Sequence, residues 1–405
     1  MINCRICATP LKPFMDFGQM PIGGAFISTG QFEDEYFYHM KIAVCSECAT
    51  LQVMDVPDPE RMFNERYAYF SSTSKFMMKH FQEFSEELIS KWLPEEDQFV
   101  VEIGSNDGIT LQNFAKAGIR HLGVEPSSSV ANAARGKGLN VLEKFFNVAT
   151  AEKIYAEHGP ADILIATNTM HNIEDINSVA AGVSILLKPG GIMVQEDPYL
   201  GDVIEDTAYD QLYAEHMYIW SITSLNNAFG RHNLEIFDAE KQKFHGGCMR
   251  YFLCHKGAHE KTLRLKQYIT KEKKIGLANP ATYDAFKGRC EQSRDRLVSI
   301  INNIKKEGKT IVGYGATAKS ATIINFCGLT KNHIDYLSDT TPKKQGLYSP
   351  GAHIPVRSPE NFSNNYPDYA ILFAWNHFEE IAQKEKMFRE LGGKWIHPVR
   401  MVEIF

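Results

Sequence analysis

Residues 99–111 have the sequence FVVEIGSNDGITL, and the rest of the chain is arranged around this stretch. The apolar run at its start predicts a buried parallel strand, and the residues that follow predict a tight turn into a helix. Gly104 and Gly108 let the backbone turn sharply and let a ligand approach it closely. A second strand ends in Glu125, where an acidic side chain is placed to accept both hydroxyls of a ribose. The stretch therefore predicts an α/β sheet with a nucleotide-like ligand at the carboxyl ends of its strands.

This pattern resembles the S-adenosylmethionine (SAM) motif of class I methyltransferases, in which a glycine-rich turn precedes a second strand that ends in an acid. The third glycine of the dinucleotide fingerprint is absent, which makes NAD a less suitable ligand, and a turn without any ligand is the remaining alternative. Two further positions extend the expected site. Phe146 either stacks on adenine or packs in the core, and Asn168 supplies an amide after a later strand. The expected cofactor-binding residues are Glu102, Gly104, Asn106, Asp107, Glu125, Phe146 and Asn168.

The composition is that of a soluble globular protein, with 44% hydrophobic and 23% charged residues among 405. This length predicts two or three domains. No apolar run approaches the roughly 18 residues of a membrane span, and no secretory-signal pattern is present, so we expect a cytoplasmic protein without a membrane partner. The formal net charge of −6 disfavours a nucleic-acid partner, which normally needs a basic surface. We expect a monomer or a weak homo-oligomer.

Two cysteine pairs near the amino terminus predict a metal site. Cys4 and Cys7 form one C-x-x-C pair, and Cys45 and Cys48 form a second. A single pair could be a redox-active dithiol, but two pairs in one short segment are typical of a tetrahedral zinc site. Four thiolates leave no open coordination position, so we expect structural zinc in a module over residues 1–58. Such a module has too small a core to fold without the metal.

Strands and helices continue to alternate after the second strand, which predicts a mostly parallel sheet. Residues 59–240 are predicted to form a methyltransferase domain, and residues 241–300 a connector of one strand and polar helices. Residues 310–319 repeat the strand, glycine turn and helix start, and a later strand that ends in Asp339 repeats the acidic tip. The predicted fold class is α/β, a class I methyltransferase Rossmann-like sheet with a small N-terminal zinc module and a second Rossmann-like domain over residues 301–405.

Two aromatic segments contain polar side chains that could take part in catalysis. Tyr67 and Tyr69 precede a predicted helix, where they can either overhang the cofactor crevice or pack against the helix start. The residues alone do not separate these alternatives. Tyr213, Glu215 and His216 lie close together farther along the chain. Taken alone, a half-buried amphipathic segment with a hydrogen-bonded histidine is the simpler interpretation of that cluster.

Together these motifs resemble the sugar C-methyltransferase family of bacterial deoxysugar pathways along the full chain. The shared elements are the four-cysteine module, Y-x-Y-x-S-S, E-I-G-x-N-D-G, N-x-x-H, Y-x-E-H, H-G-G-x-x-R and G-Y-G-A-T-A-K. The resemblance implies an enzyme that uses SAM to methylate the carbon next to a ketone in a nucleotide-linked keto-deoxysugar. The active-site residues that it implies are Tyr69 (or Tyr67), His171, Tyr213, Glu215 and His216, with His216 as the base.

Two positions depart from the family pattern. Asp197 stands where an apolar residue is expected, and Cys248 replaces a more usual serine. Both differences can signal a different sugar.

The proposed chemistry explains why these residue types are needed. Carbon becomes nucleophilic once a proton next to a carbonyl is removed, and a neutral histidine such as His216 is a suitable base near pH 7. Glu215 can orient or polarise the site. The enolate oxygen needs a hydrogen-bond donor, which a tyrosine hydroxyl or His171 can supply. The carbanion then attacks the SAM methyl group, and no metal is required for this step.

Three alternatives remain. A zinc-containing RNA methyltransferase is disfavoured by the acidic balance and the absence of a basic tract. A binding or scaffold protein without activity is disfavoured by the complete SAM motif, and the acceptor could be another small molecule. The sequence identifies neither the sugar, the nucleotide nor the methylated carbon.

Overall fold

The computed structural model describes residues 2–58, 62, 70–73, 75–242 and 247–405. Strands within these ranges form three sheets, of four, seven and six strands. The predicted fold class is confirmed: an N-terminal module with cysteine knuckles precedes two sheets of Rossmann-like connectivity.

The strands of the described residues are numbered in chain order. They are β1 (Pro13–Pro21), β2 (Phe37–Val44), β3 (Leu51–Val53), β4 (Phe99–Ile103), β5 (Arg120–Val124), β6 (Val141–Leu142), β7 (Ala161–Thr167), β8 (Leu187–Pro198), β9 (Tyr218–Ile219), β10 (Leu234–Gln242), β11 (Cys248–His255), β12 (Ile311–Tyr314), β13 (Leu337–Ser338), β14 (Val356–Arg357), β15 (Tyr369–Leu372), β16 (Lys394–His397) and β17 (Glu403–Ile404).

The α-helices of the same ranges are numbered in the same way. They are α1 (Lys75–Trp92), α2 (Leu111–Lys116), α3 (Ser128–Gly136), α4 (Val148–His158), α5 (Ile176–Leu186), α6 (Leu200–Glu205), α7 (Ile222–Gly230), α8 (Leu263–Ile275), α9 (Pro280–Lys306), α10 (Ala318–Phe326), α11 (Pro359–Asn364), α12 (Phe378–Lys384) and α13 (Lys386–Glu390).

The N-terminal sheet has the strand order β1-β2-β3-β9, and all its pairs are antiparallel. Its fourth strand comes from far along the chain, because Leu51 pairs with Ile219 and Gln52 pairs with Tyr218. The sheet of the zinc module is therefore completed by the segment that carries His216.

The central sheet has the order β10-β11-β8-β7-β4-β5-β6. The strands from β4 to β8 are parallel, whereas β11 runs antiparallel to β8 and β10 antiparallel to β11. All five residues of β4 are buried, as the apolar run predicted. Parallel strands with helical connections bring their carboxyl ends to one edge, which is where ligands bind in such sheets.

The start of β8 is irregular. β8 begins at Leu187, but its pairing with β7 passes from Ala161 with Leu187 directly to Ile163 with Ile192. Residues 188–191 therefore stand opposite a single residue of β7, and Gly190 among them has a positive φ of 80°.

The C-terminal sheet has the order β14-β13-β12-β15-β16-β17, and all its pairs are parallel except the last. The N-terminal module contacts this part of the protein directly. Ile27 bridges to Tyr348, and Glu35 accepts hydrogen bonds from the Gly351 N–H and from His353, each at 2.7 Å. Within the described ranges, no helix is both long and apolar enough to span a bilayer.

Candidate functional site

The turn after β4 has a backbone that only a few residue types tolerate. Gly104, Asn106 and Gly108 have φ angles of 69°, 49° and 79°. A Cβ atom on Gly104 would lie 2.4 Å from the side chain of Thr169, which follows β7. Glycine is therefore needed at residue 104 both for its conformation and for the close approach of the neighbouring loop.

The side chain of Glu125, at the tip of β5, holds this turn in place. One carboxylate oxygen accepts the N–H of Asn106 and the other accepts the N–H of Ser127, both at 2.9 Å. Burial raises the pKa of Glu125, and these two hydrogen bonds act in the opposite direction. Each oxygen keeps a second lone pair that a ribose hydroxyl can use.

A cavity of about 760 Å³ lies against this edge of the sheet. Asn168 lines it with a φ of 52°, and its side-chain Nδ2 is buried without a hydrogen-bond partner among the described residues. An unsatisfied donor and a glycine cradle both fit a polar nucleoside cofactor such as SAM. Six of the seven predicted cofactor residues line the cavity: Glu102, Gly104, Asn106, Glu125, Phe146 and Asn168.

The seventh predicted residue, Asp107, has a different position. Its carboxylate accepts the N–H of Ser72 at 3.2 Å and lies 3.5 Å from the Nζ of Lys137. Asn106 similarly accepts the N–H of Ser71 at 3.1 Å. Both residues therefore attach the segment before α1 to the cofactor turn.

Glu102, in β4, is fully enclosed. Burial raises its pKa to about 8. Its Oε2 has no hydrogen-bond partner within the described part of the chain. This carboxyl group is therefore poised to hold a proton at neutral pH.

Tyr213 and His216 form a hydrogen-bonded pair. The Nδ1 atom of His216 lies 2.8 Å from the carbonyl oxygen of Gln211, and its Nε2 contacts the Tyr213 hydroxyl. A carbonyl oxygen only accepts hydrogen bonds, so Nδ1 carries the hydrogen and Nε2 of the neutral ring is an acceptor. The segment is more buried than predicted, and His216 is only 8% exposed.

His171 joins this pair from the other side. It lies in a short 3-10 turn after β7, between the cavity-lining residues Thr169 and Asn172. Its ring centre is 4.2 Å from that of His216, in an edge-to-face arrangement. Its Nδ1 lies 2.6 Å from Oδ1 of Asp197, a fully buried residue of β8. The structure thus brings together His171, Tyr213 and His216.

The remaining predicted catalytic residues are placed differently. Oε1 of Glu215 accepts the N–H of Gly24 in the N-terminal module at 2.8 Å, and burial raises the pKa of Glu215. Its Oε2 is buried without a hydrogen-bond partner in the described ranges. Tyr69 and Tyr67 lie outside the described residues.

A second buried carboxylate network was missed by the sequence analysis. Glu196 accepts hydrogen bonds from His80 at 2.7 Å and from Arg250 at 2.9 Å, and Arg250 also lies over the ring of Phe84. Burial alone would raise the pKa of Glu196, but His80 and Arg250 hold it below its usual value. The H-G-G-x-x-R pattern includes Arg250, but no signal in the sequence connects this residue with His80.

The four predicted zinc ligands converge. The Sγ atoms of Cys4, Cys7, Cys45 and Cys48 all lie within 4.8 Å of one another. Cys4 lies 3.5 Å from Cys48, and Cys7 lies 3.4 Å from Cys45. Four sulfur atoms at this spacing fit tetrahedral zinc, and a Cys₄ site is structural.

Two cationic side chains lie close to the ring of Trp375. The Trp375 ring is 5.4 Å from the Lys319 Nζ and 4.6 Å from the Arg400 guanidinium carbon. Its indole N–H donates to Asp210 at 2.7 Å. Burial lowers the pKa of Lys319, which interacts electrostatically with Asp210 and with Cys248. Asp210 precedes Gln211, whose carbonyl oxygen faces His216.

Family models match three consecutive segments of the chain. They describe a zinc binding domain (residues 4–63), a methyltransferase domain (residues 69–239) and a C-methyltransferase C-terminal domain (residues 243–400). C-methyltransferase NovU from Streptomyces niveus is 32% identical over 402 residues, which is 98% of this chain and 95% of that protein.

Solved methyltransferase structures resemble part of the chain. Magnesium protoporphyrin IX methyltransferase from Synechocystis PCC 6803, with bound SAH, is 12% identical and covers 44% of this chain and 83% of its own, with a TM-score of 0.35. A methyltransferase in complex with the Trm112 activator from Haloferax volcanii is 16% identical. The match covers 45% of this chain and 93% of that chain, with a TM-score of 0.35.

Proposed function

Because the chain belongs to the C-methyltransferase family, we propose that it methylates a nucleotide-linked keto-deoxysugar at the carbon next to the ketone. The protein is a SAM-dependent C-methyltransferase with a structural zinc site. The sugar substrate and the histidine mechanism are the proposal. The observation that carries it is the cluster of His171, Tyr213 and His216, which adjoins the loop that lines the cofactor cavity.

The cavity residues would hold SAM, whose sulfonium supplies an electrophilic methyl group when it is bound. Glu125 would accept the ribose hydroxyls, and the side chain of Asn168 would donate through its unsatisfied Nδ2. Gly104 would let the cofactor approach the backbone. Phe146 is only 5% exposed, so it contributes a buried wall, whereas the neighbouring Phe145 is 50% exposed.

His216 would remove the proton next to the ketone. The Gln211 carbonyl fixes its hydrogen on Nδ1, which leaves Nε2 as the atom that can take a proton. Tyr213 lies at this nitrogen and would yield its place to the substrate or relay the proton. Glu215, attached to the N-terminal module through Gly24, would contribute its unsatisfied oxygen to a substrate hydroxyl.

The cationic cluster supports a nucleotide-linked substrate rather than a free sugar. A diphosphate carries negative charge that Lys319 and Arg400 can neutralise, and its arrival would favour the charged form of the buried Lys319. The Trp375 ring lies close to both cations. Because Asp210, which binds Trp375, precedes Gln211, which binds His216, one ligand could reach both the cations and the histidines.

The test is methyl transfer to a panel of nucleotide-linked 4-keto sugars, with mass spectrometry to detect one added methyl group. Matched sugars that lack the ketone serve as controls, because they cannot form an enolate. Methylation of the keto sugars alone is the expected result. Methylation only of other small molecules or of RNA would contradict the proposal.

Replacing His216 with asparagine should lower the methyl-transfer rate by roughly 10²–10⁴, the usual contribution of a general base. SAM affinity and zinc content should not change, since His216 contacts neither site. His232→Asn is the matched control, because His232 is a partly buried histidine whose side chain bonds to Asn177. Turnover of His216→Asn near the wild-type rate would place the base elsewhere.

A further inference from the structure

The Nδ1 atoms of His171 and His216 have different hydrogen-bond partners. Nδ1 of His216 faces a neutral carbonyl oxygen, that of Gln211, whereas Nδ1 of His171 faces the carboxyl group of Asp197. The side chains of His171 and Asp197 are only 3% and 0% exposed. A carboxyl group, unlike a carbonyl, can itself carry a proton or stabilise an imidazolium, so the two rings can carry their hydrogens differently.

Asp197 is held firmly in this position. Its second oxygen accepts a hydrogen bond from the side-chain amide of Gln195 at 2.7 Å. The neighbouring Glu196 is occupied by His80 and Arg250, so it does not compete for His171. Within the described residues, Nδ1 is the nitrogen of His171 that makes a hydrogen bond, and Nε2 makes none.

A carboxylate beside a neutral ring that carries its hydrogen on Nδ1 would leave the buried pair with a net negative charge, which burial disfavours. Burial raises the pKa of Asp197, while its contact with His171 opposes that shift. A neutral pair has two forms: a carboxylate beside an imidazolium, or a carboxylic acid beside a neutral ring. In the first form both ring nitrogens carry hydrogen, and in the second the acid donates to Nδ1, so the hydrogen sits on Nε2. Both neutral forms therefore leave Nε2 of His171 as a donor.

We propose that Asp197 is a positioning residue that makes His171 a hydrogen-bond donor to the enolate oxygen. His216, whose Nδ1 faces the Gln211 carbonyl, presents an Nε2 that carries no hydrogen and acts as the base. This inference rests on the proposed function, because it assumes a ketone substrate. It adds a role for a residue that departs from the family pattern.

The step balances as follows. The C–H bond next to the ketone breaks, and its proton moves to Nε2 of His216. The electron pair forms a C=C bond, and negative charge develops on the former carbonyl oxygen. The Nε2–H of His171 donates to that oxygen, and Asp197 stabilises the ring as it does so. No oxidant or metal is needed.

Nitrogen NMR of the whole protein, labelled with ¹⁵N-histidine, tests the proton placement without any substrate. The signals of each ring are assigned by their loss in His171→Asn and His216→Asn. We expect a hydrogen on Nε2 of His171 near neutral pH and a bare Nε2 on His216. A bare Nε2 on His171 would overturn the proposal.

Substitution of Asp197 tests the consequence for the reaction. Asp197→Ala should lower kcat by roughly 10²-fold, as loss of an oxyanion donor does, while SAM affinity and zinc content stay the same. Exchange of the substrate proton into D₂O, with SAH in place of SAM, should fall in parallel. Asp16→Asn, which removes the exposed carboxylate beside His39, is the matched control and should leave both rates unchanged. An unchanged kcat in Asp197→Ala would refute the role of Asp197.

If Asp197→Ala does not fold, Asp197→Asn replaces it. An amide can accept from Nδ1 or donate to it, so NMR must show which ring nitrogen carries the hydrogen. The rate should remain high only if Nε2–H is retained. A high rate with a bare Nε2, or a low rate with Nε2–H retained and SAM bound normally, would contradict the proposal. If no keto-sugar in the panel is methylated, the proposed function fails, and the NMR result still decides the proton placement.

Discussion

The two Rossmann-like units of this protein share one device but use it differently. In the first unit, Glu125 accepts the N–H of Asn106 in the glycine turn and the N–H two residues beyond itself. In the second, Asp339 accepts the N–H of Ala316 at 2.7 Å and that of Thr341 at 2.8 Å. An acid at the tip of the second strand thus stabilises the preceding turn in both units.

The surroundings of the two turns differ. The first turn lines the cavity of about 760 Å³. At the second, Lys344 donates to the carbonyl of Ala316 at 2.8 Å, and a Cβ on Gly315 would lie 3.0 Å from that of Ala374. The comparison shows that the strand, turn and acid form a structural unit, and that the space beside it determines whether a cofactor can bind.

The largest expected effect comes from adding a methyl group to each turn. Gly104→Ala should weaken SAM binding by roughly 10²-fold, because the left-handed backbone is strained and the Cβ meets Thr169. Gly315→Ala should destabilise the second unit and leave SAM affinity within about twofold. Calorimetric titration with SAM measures both.

Gly138→Ala is the matched control for backbone strain. Gly138 has a φ of 81° and no atom within 4 Å of an added Cβ. This variant should lose some stability but keep its affinity for SAM. Equal losses of affinity in all three variants would show that the first turn has no special role.

The second comparison is between the acidic residues of the two turns, Glu125 and Asp339. Glu125→Ala removes the partner of the ribose hydroxyls and of the Asn106 N–H, so SAM binding should weaken by roughly 1–3 kcal/mol, about one to two decades. Asp339→Ala removes the same backbone contacts from the second unit and should leave SAM affinity unchanged. If Asp339→Ala weakens SAM binding as much as Glu125→Ala, the assignment of cofactor to the first unit is wrong.

The last comparison concerns the pH dependence of stability. Glu102, whose pKa burial raises to about 8, has no counterpart in the second unit, where Gly313 occupies the same place before the turn. The folded state binds this proton more tightly than the unfolded chain, so the stabilisation is complete below the unfolded pKa of 4.5 and is lost as pH rises through 8. The loss is at most about 1.4 kcal/mol per pH unit.

Chemical unfolding of the SAM-free protein at several pH values measures this trend. Glu102→Gln cannot ionise, so its free energy of unfolding should decline less than that of the wild type between those two pKa values. Parallel curves for the two proteins would contradict the raised pKa.

Local patterns in the sequence were sufficient to predict the fold and the candidate cofactor site. Glycine spacing, the acid at Glu125 and the cysteine pairs act over short distances, and each has a definite physical requirement. The pair of Asp197 with His171 spans 26 residues, and the contact of Glu215 with Gly24 spans 191. Such contacts depend on how strand ends meet in three dimensions, which periodicity does not encode. The domain division remains a prediction.

The fourth strand of the zinc module has a consequence for chimaeric proteins. Tyr218, two positions after His216, pairs with Gln52, while Gly24 of the same module binds Glu215. A zinc module exchanged between relatives would therefore bring in a foreign surface against the candidate catalytic segment. Crossover points at the apparent domain boundary would separate strands that belong to one sheet. Recombinants should keep β1 to β3 and the segment that ends in β9 from the same parent, and the two should be inherited as one unit.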